Sequence, residues 1–403
     1  MDKLKNKIPL VRFPEFKADW EFIHGNELFT RISNKNHNSD LPILAISQEF
    51  GAIPRHLINY KISVTEKSVS SYKVVEKGDF IISLRSFQGG IEYSSYKGIC
   101  SPAYVILRPT IELEAEFYKS HFKSFRYIQQ LQSKLEGIRD GKMISYKYFS
   151  EIKLPFPTLP EQKKIAHFFS IVDQKLNQLQ EKLNGLEQYK KGIMQQIFSQ
   201  QLRFKDENKN GFPEWEEKKL GEVTKITAGG TPSTLRKDYW NGKIRWMNSG
   251  ELNLKMVSEV ENRITELGLK KSSAKLLPIN CILIGLAGQG KTRGTIAINK
   301  VELCTNQSIG SIMPNPETYY SMFLYFNLDM RYEEIRRMST GDGGRGGLNL
   351  KIIKDIKVNF PSIKEQTQIA NFLSKIDNKI NTINKQIERT KTYKKGVLQK
   401  MFV

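Results

Sequence analysis

Three stretches of this sequence carry residue types whose spacing could serve chemistry. Gly285-Leu-Ala-Gly-Gln-Gly290-Lys291-Thr292 fits the phosphate-cradling pattern of glycine, four residues, then Gly-Lys-Ser/Thr, and it follows an apolar, strand-like run. A nucleotide loop also needs a helix whose N-terminus faces the phosphates. Arg293 to Asn299 instead alternates and is rich in β-branched residues, which predicts a strand. Nucleotide hydrolysis is therefore the weaker reading, and contact with a nucleic-acid phosphate the stronger. Gly341 to Gly347, with Arg345 inside it, lacks the strand-to-helix setting of a dinucleotide loop. It reads as a flexible connector or, preferably, as a surface where absent side chains let backbone amides and Arg345 approach a phosphate or a groove. The third stretch runs from Gly229-Gly230-Thr231-Pro232-Ser233 through Tyr239-Trp240 and Arg245-Trp246 to Asn248-Ser249-Gly250-Glu251. Amides, hydroxyls and aromatic rings near basic groups suit phosphates and base edges, although Trp240 and Trp246 read equally well as a core pair beside a turn.

Catalytic machinery is missing from the sequence. It has no Asp-Pro-Pro-Tyr clamp for base methylation, no glycine-rich cofactor loop in a strand-helix setting and no acidic nuclease cluster. No enzymatic activity and no cofactor are expected. Cys100, Cys281 and Cys304 stand far apart in apolar contexts, which suits reduced core thiols. His24, His37, His56, His121 and His167 pair with no cysteine at ligand spacing, so no metal is expected. The 63 Lys and Arg against 42 Asp and Glu give a net charge of +21, the electrostatic footprint of a nucleic-acid binder. No run of eighteen apolar residues occurs, and the charged start, Met1 to Lys7, leads into no apolar core. A cytoplasmic protein with no membrane partner is expected.

The elements that must position these stretches occur twice. Aligning Pro157 with Pro361 fixes an offset of 361 − 157 = 204, which carries Glu161-Gln162 onto Glu365-Gln366, Phe168 onto Phe372, Asp173 onto Asp377 and Tyr189 to Gly192 onto Tyr393 to Gly396. Both copies read as long helices. Apolar residues at Val172, Leu176, Leu179, Leu183, Leu186, Ile193 and Ile197 alternate by fours and threes, as a coiled-coil seam does. Ile376, Ile380, Ile383, Ile387 and Val397 repeat that frame, with Thr390 interrupting it. Lys190 and Lys394 hold the same seam position. A parallel pair would stack the two ammonium groups, which a low-dielectric seam penalises. An antiparallel pair brings Lys190 to Asp377 and Lys394 to Asp173, so antiparallel packing is predicted.

A globular unit precedes each helix. Phe13-Pro14-Glu15-Phe16 and Phe212-Pro213-Glu214-Trp215 open the two units, and Cys100 and Cys304 again lie 304 − 100 = 204 apart. Strands are predicted from Gly78 to Ile82, over Ala103 to Leu107, at Ile282 to Ile284, around Thr295 to Ile298 and over Ile309 to Ile312. Helix-like stretches follow at Ala115 to Leu135 and Glu317 to Met338, then loops at Gly137 to Lys142 and Gly341 to Gly347. The fold class is α/β (α+β), with two pseudo-symmetric globular domains separated by two long helices in an antiparallel coiled coil. The boundaries are 1–157, first globular domain; 158–202, first long helix; 203–361, second globular domain; and 362–403, second long helix.

On the GGTPS to KI-W run, the EQ-x-x-I-A helix entries and the repeated YKKG-x-x-Q endings, the chain resembles specificity subunits of type I DNA restriction-modification systems. The resemblance covers both halves. It implies that each globular unit is a target-recognition domain reading half of a split site on double-stranded DNA, with the helices as spacer. It also implies two methyltransferase subunits as partners, with restriction (translocase/nuclease) subunits in a larger complex. Expected DNA contacts are Ser47, Gln48, Arg85, Gln88, Tyr104, Arg139 and Lys142 in the first unit. In the second they are Asn248, Ser249, Gln289, Lys291, Arg293, Asn306, Gln307 and Arg345. Partner contacts are expected at Tyr189, Lys191, Tyr393 and Lys395. The competing readings are a DNA-binding scaffold without sequence choice and a P-loop ATP hydrolase.

Overall fold

Short β-branched runs and two long amphipathic segments leave few choices of architecture. The computed structural model of the chain describes residues 8–38, 40–58, 69–133, 144–288, 290, 292–339 and 347–402. It divides into two units, Met1–Glu181 with Asn384–Val403, and Lys182–Ile383. The division falls inside both long helices, Leu159–Phe198 and Ile363–Met401, so each unit holds a part of each.

The first unit carries β1 (Glu21–His24), β2 (Phe29–Ile32), β3 (Leu44–Ser47), β4 (Gly51–Pro54), β5 (Lys73–Val75), β6 (Phe80–Ile82), β7 (Glu92–Tyr93), β8 (Gly98–Cys100), β9 (Val105–Pro109) and β10 (Lys153–Phe156). Its main sheet runs β2-β9-β6-β7, with antiparallel neighbours. The central strand β6 is buried at every position. Phe80 and Ile82 face a core of Phe29, Leu107, Tyr118, Phe122 and Phe149, while Ile81 faces a second core with Val75, Cys100 and Ile106. A strand covered on both faces has no polar alternation to show, which is why Phe80-Ile81-Ile82 is a continuous apolar run.

The second unit carries β11 (Glu216–Lys219), β12 (Ile226–Ala228), β13 (Trp240–Met247), β14 (Met256–Val257), β15 (Asn262–Ile264), β16 (Ile282–Gly285), β17 (Ile296–Asn299), β18 (Cys304–Thr305), β19 (Ile309–Ile312) and β20 (Lys357–Phe360). Its sheet order is β12-β19-β16-β17-β14. Apart from the added β14 this repeats the order of the first unit. Ile282 and Ile284 again face one core and Leu283 the other.

Antiparallel helix packing holds inside each unit. In the first, Lys394 bonds Asp173, and the Tyr393 ring meets Phe168 at 6.5 Å. In the second, Lys190 lies 2.5 Å from Asp377, its amine also over the Phe326 ring at 5.2 Å. Both pairs join a residue late in one helix to one early in the other. The seam residues Val172, Leu179, Leu183, Ile197, Ile376, Ile383 and Ile387 are buried.

The helix-like stretches are each broken in two. Ala115–His121 and Phe125–Ser133 are separate helices because the chain turns to send Lys123 to Glu92 (2.6 Å) and to the Gly89 carbonyl (2.9 Å). Ser321–Met330 and Tyr332–Arg337 are separated at Arg331, which donates to the Lys357 carbonyl at 2.7 Å. The strand expected over Ala103 to Leu107 is Val105–Pro109, since Ala103 belongs to a turn held by the Ser101 hydroxyl.

The Phe-Pro-Glu match is not the structural equivalence. Arg12 bonds Glu161 at 2.7 and 2.8 Å with Phe13 against Phe168, while Arg203 bonds Glu365 with Phe204 against Phe372. Arg12-Phe13 therefore corresponds to Arg203-Phe204, and the second unit carries a longer connection before Trp215. Beside each glutamate, Gln162 and Gln366 donate to the Pro157 and Pro361 carbonyls at 2.8 Å and accept the Glu114 and Tyr320 amides. Each Glu-Gln pair thus fastens a globular core to the start of its own long helix.

Candidate nucleic-acid interface

In the second unit the expected contact loops converge on one turn, Thr305 to Ile309. Strands β13 and β18 run parallel, Trp246 beside Cys304 and Met247 beside Thr305, so Asn248 and Asn306 emerge together at their carboxyl ends. The Asn306 amide donates to the Met247 carbonyl at 3.0 Å, and the Asn248 side chain caps the helical turn Ser249–Leu254. The Gly230 amide bonds the Thr305 carbonyl at 2.8 Å, and the Thr231 hydroxyl donates to the Gln307 side-chain oxygen at 2.5 Å. A Cβ at Gly229 would lie 2.1 Å from the Thr305 oxygen, which explains a glycine at this close approach. The Leu286 amide bonds the Ser308 carbonyl, and the Leu286 carbonyl accepts the Leu348 amide, both at 2.8 Å. Four segments, 229–233, 248–254, the turn after β16 and the return at Gly347-Leu348, are thereby held around Asn306 and Gln307.

Trp240 and Trp246 are the frame of this surface rather than its contacts. Their rings meet edge to face at 5.0 Å, and their indole N–H groups donate to the Ser233 and Gly230 carbonyls. The P-loop pattern is likewise not a nucleotide loop. Antiparallel β16 and β17 flank it, with Ile284 opposite Ile296, so a strand stands where the phosphate-binding helix would be required. Arg336, which belongs to no sequence motif, donates to the Gly290 carbonyl at 2.6 Å and braces that turn. Ser249 and Arg293 are half-buried. Gln289, Lys291 and Arg345 lie outside the described residues, as do Arg139 and Lys142.

The first unit builds the matching turn, Ser101 to Tyr104, directly after β8. The β3–β4 hairpin packs beside it: Ile43 bridges Ile99, and the Ser47 hydroxyl accepts the Glu49 and Phe50 amides. The Gln48 amide donates to the Arg85 carbonyl at 3.1 Å, tying the hairpin to the turn of helix that bears Arg85 and Gln88. Gln48, Arg85 and Gln88 are exposed there, apart from the half-buried Tyr104. Burial pushes the Tyr104 phenol above its ordinary pKa, so it stays protonated. Lys73 donates to the Tyr104 carbonyl at 2.7 Å, and burial lowers its pKa; in the sequence a lysine opening an apolar strand looks like a solvated end.

Burial pushes the thiols of Cys100, Cys281 and Cys304 up to about 12, and all three are unbridged, so they serve as core side chains rather than nucleophiles. Tyr189, Lys191, Tyr393 and Lys395 are exposed on the long helices. Among the described residues no helix is long and apolar enough to cross a membrane.

The sequence pattern of the family described as "Type I restriction modification DNA specificity domain" matches residues 18–188 and again 213–390. The chain belongs to this family. A similar specificity-domain protein is the Escherichia coli type I restriction enzyme EcoR124I/EcoR124II specificity subunit, 30% identical over 259 residues, which are 63% of this chain and 62% of that protein. The MjaIX specificity subunit of Methanocaldococcus jannaschii is 29% identical over 47% of this chain and 44% of its own length, so these two alignments span less than two thirds of either relative. The MjaVIII specificity subunit of the same organism is 25% identical over 417 residues, 96% of this chain and 92% of its own. Among solved structures, the type I restriction-modification S subunit from M. genitalium superposes with a TM-score of 0.56, covering 98% of this chain and 99% of that one. At 16% identity that likeness speaks for a shared fold.

Proposed function

We propose that this chain is the non-catalytic DNA-specificity subunit of a type I restriction-modification complex. Each unit reads one half of a split duplex site through its turn after β8 or β18. The recognition domains would be 1–157 and 203–361, with 158–202 and 362–403 as spacer helices. The observation that carries this reading is a duplicated sheet order bearing different residues on equivalent turns: Tyr104 with Gln48, Arg85 and Gln88 in one unit, Asn248, Asn306 and Gln307 in the other. A shared scaffold with divergent surfaces is what two different half-sites require. The partners are double-stranded DNA, two adenine methyltransferase subunits and, in a larger assembly, restriction subunits; the site of action is the cytoplasm.

Amide side chains suit the N6 and N7 edge of adenine, and a bidentate pair discriminates by about 1–3 kcal/mol. Replacing Asn306 and Gln307 together by alanine should relax base preference in one half-site and leave the other half-site unchanged. Binding assays on duplexes mutated one half at a time would check this. Equal loss in both halves, or in neither, would remove the assignment.

A further inference from the structure

We propose that the Ser101 to Tyr104 turn of the first unit, with the cations gathered around it, seats a phosphodiester of the DNA backbone. This rests on the specificity-subunit reading and adds a ligand chemistry and contact residues to it. Lys73 opens β5 opposite Cys100, is 5% exposed, and its amine reaches the Tyr104 carbonyl. The segment after β2 lies along β5, since the Asn34 carbonyl accepts the Val74 amide at 2.8 Å, and Arg31 and Lys35 are close enough to act on the Lys73 amine. From the other side the Arg55 amide bonds the Ile43 carbonyl at 3.0 Å, one step from the Ile43–Ile99 bridge. Arg55 and Arg85 both act on the Tyr104 phenol, and Arg55 Nη1 is buried with no hydrogen-bond partner among the described residues.

None of these five cations has a carboxylate partner among the described residues. Asp79, whose charge reaches neighbouring Cys100, is already held by Arg108 at 2.7 and 2.8 Å. Cys100 and Tyr104 stay neutral and supply no anion. Like charges brought together without a counter-charge repel, more so where a lysine and a guanidinium nitrogen are shielded from water. An anion arriving from outside cancels that repulsion, and a duplex offers a row of them. At the equivalent turn of the second unit Asn248, Asn306, Gln307 and Thr231 are neutral, and the charges beside them are of both signs: Glu251 accepts the Asn248 amide at 2.9 Å and the Lys275 amine donates to the Thr227 hydroxyl at 2.5 Å. The phosphate seat is therefore assigned to the first unit.

The test is equilibrium binding of the full chain to a duplex carrying its selected site and to a random duplex of equal length, across a salt series. The wild type is compared with Lys73→Met, with the more exposed pair Arg31→Gln and Arg55→Gln, and with Asn306→Ala. The Lys73 and arginine variants should weaken binding to both duplexes by a similar factor and lower the salt slope by about 0.9 for the phosphate lost. The Asn306 variant should keep the slope. Inorganic phosphate should raise the melting temperature of the wild type more than that of Arg31→Gln, Arg55→Gln, which keeps the test open even where Lys73→Met folds poorly. Unchanged slopes in a wild type that discriminates between the duplexes overturn the phosphate seat alone. A lowered slope in a wild type that discriminates nothing supports the seat while removing the sequence-reading role, and no binding to either duplex removes both.

Discussion

Replacing Glu365 by alanine should loosen the second unit far more than a surface ion pair would. Its carboxylate side chain is 0% exposed and accepts Arg203 at 3.2 and 2.9 Å and the Trp215 indole at 3.1 Å. The substitution leaves a guanidinium that is 21% exposed with the Phe212 and Pro213 carbonyls and the exposed Glu214 carboxylate at 3.6 Å, and an indole donor without its acceptor. Breaking a buried pair from one side costs about 3–5 kcal/mol. Because Arg203 keeps two carbonyls, the exposed Glu214 carboxylate and some water, the lower end, about 3 kcal/mol, is expected. For a unit of this length each kcal/mol moves the melting temperature by about 2–4 °C, so the second unit should melt about 6–12 °C lower. Calorimetry combined with hydrogen exchange would assign the loss to residues of Lys182–Ile383. The double variant Arg203→Met, Glu365→Met should cost much less than Glu365→Ala, since an apolar pair strands no charge. A cost below about 1 kcal/mol for Glu365→Ala, the range of exposed pairs, would refute the clamp.

His121 is buried, and among the described residues neither ring nitrogen has a hydrogen-bond partner; burial holds its pKa down to about 3. The unfolded chain protonates near pH 6.5, so stability is intact above that value and falls at about 1.4 kcal/mol per pH unit between 6.5 and 3. All five histidines lie in the first unit, so acid melts should show that unit yielding first, and His121→Leu should flatten its slope below pH 6.5. Deleting one heptad from each long helix removes about 10 Å at 1.5 Å per residue, or about three base pairs of rise, so the gap between selected half-sites should shrink by that amount. An unchanged gap would mean that the helices do not set it.

Helix periodicity and charge were legible because their determinants are local. The four-three seam and the two Lys–Asp partners follow from spacing alone, and Lys190 with Asp377 and Lys394 with Asp173 lie where the antiparallel argument puts them. The strand against the P-loop pattern was legible for the same reason. The Arg12–Glu161 and Arg203–Glu365 clamps were not: their partners are far apart in sequence, and a glutamate in a first helical turn already has a sufficient local explanation in the helix dipole. Lys73 was missed because burial of a charge is decided by long-range strand pairing, here with Cys100. The break at Phe122 to Ser124 was invisible because the Lys123 to Glu92 bond that accompanies it crosses from helix to sheet.

The central claim is that two divergent surfaces on one duplicated scaffold read two half-sites. Selection from random duplex DNA by the chain assembled with the proposed methyltransferase subunits tests it most directly. Enrichment of two short motifs at a fixed separation, one of them lost on replacing Asn306 and Gln307, is the predicted result. Enrichment of a single uninterrupted motif, or of no sequence by an intact assembly, would contradict it.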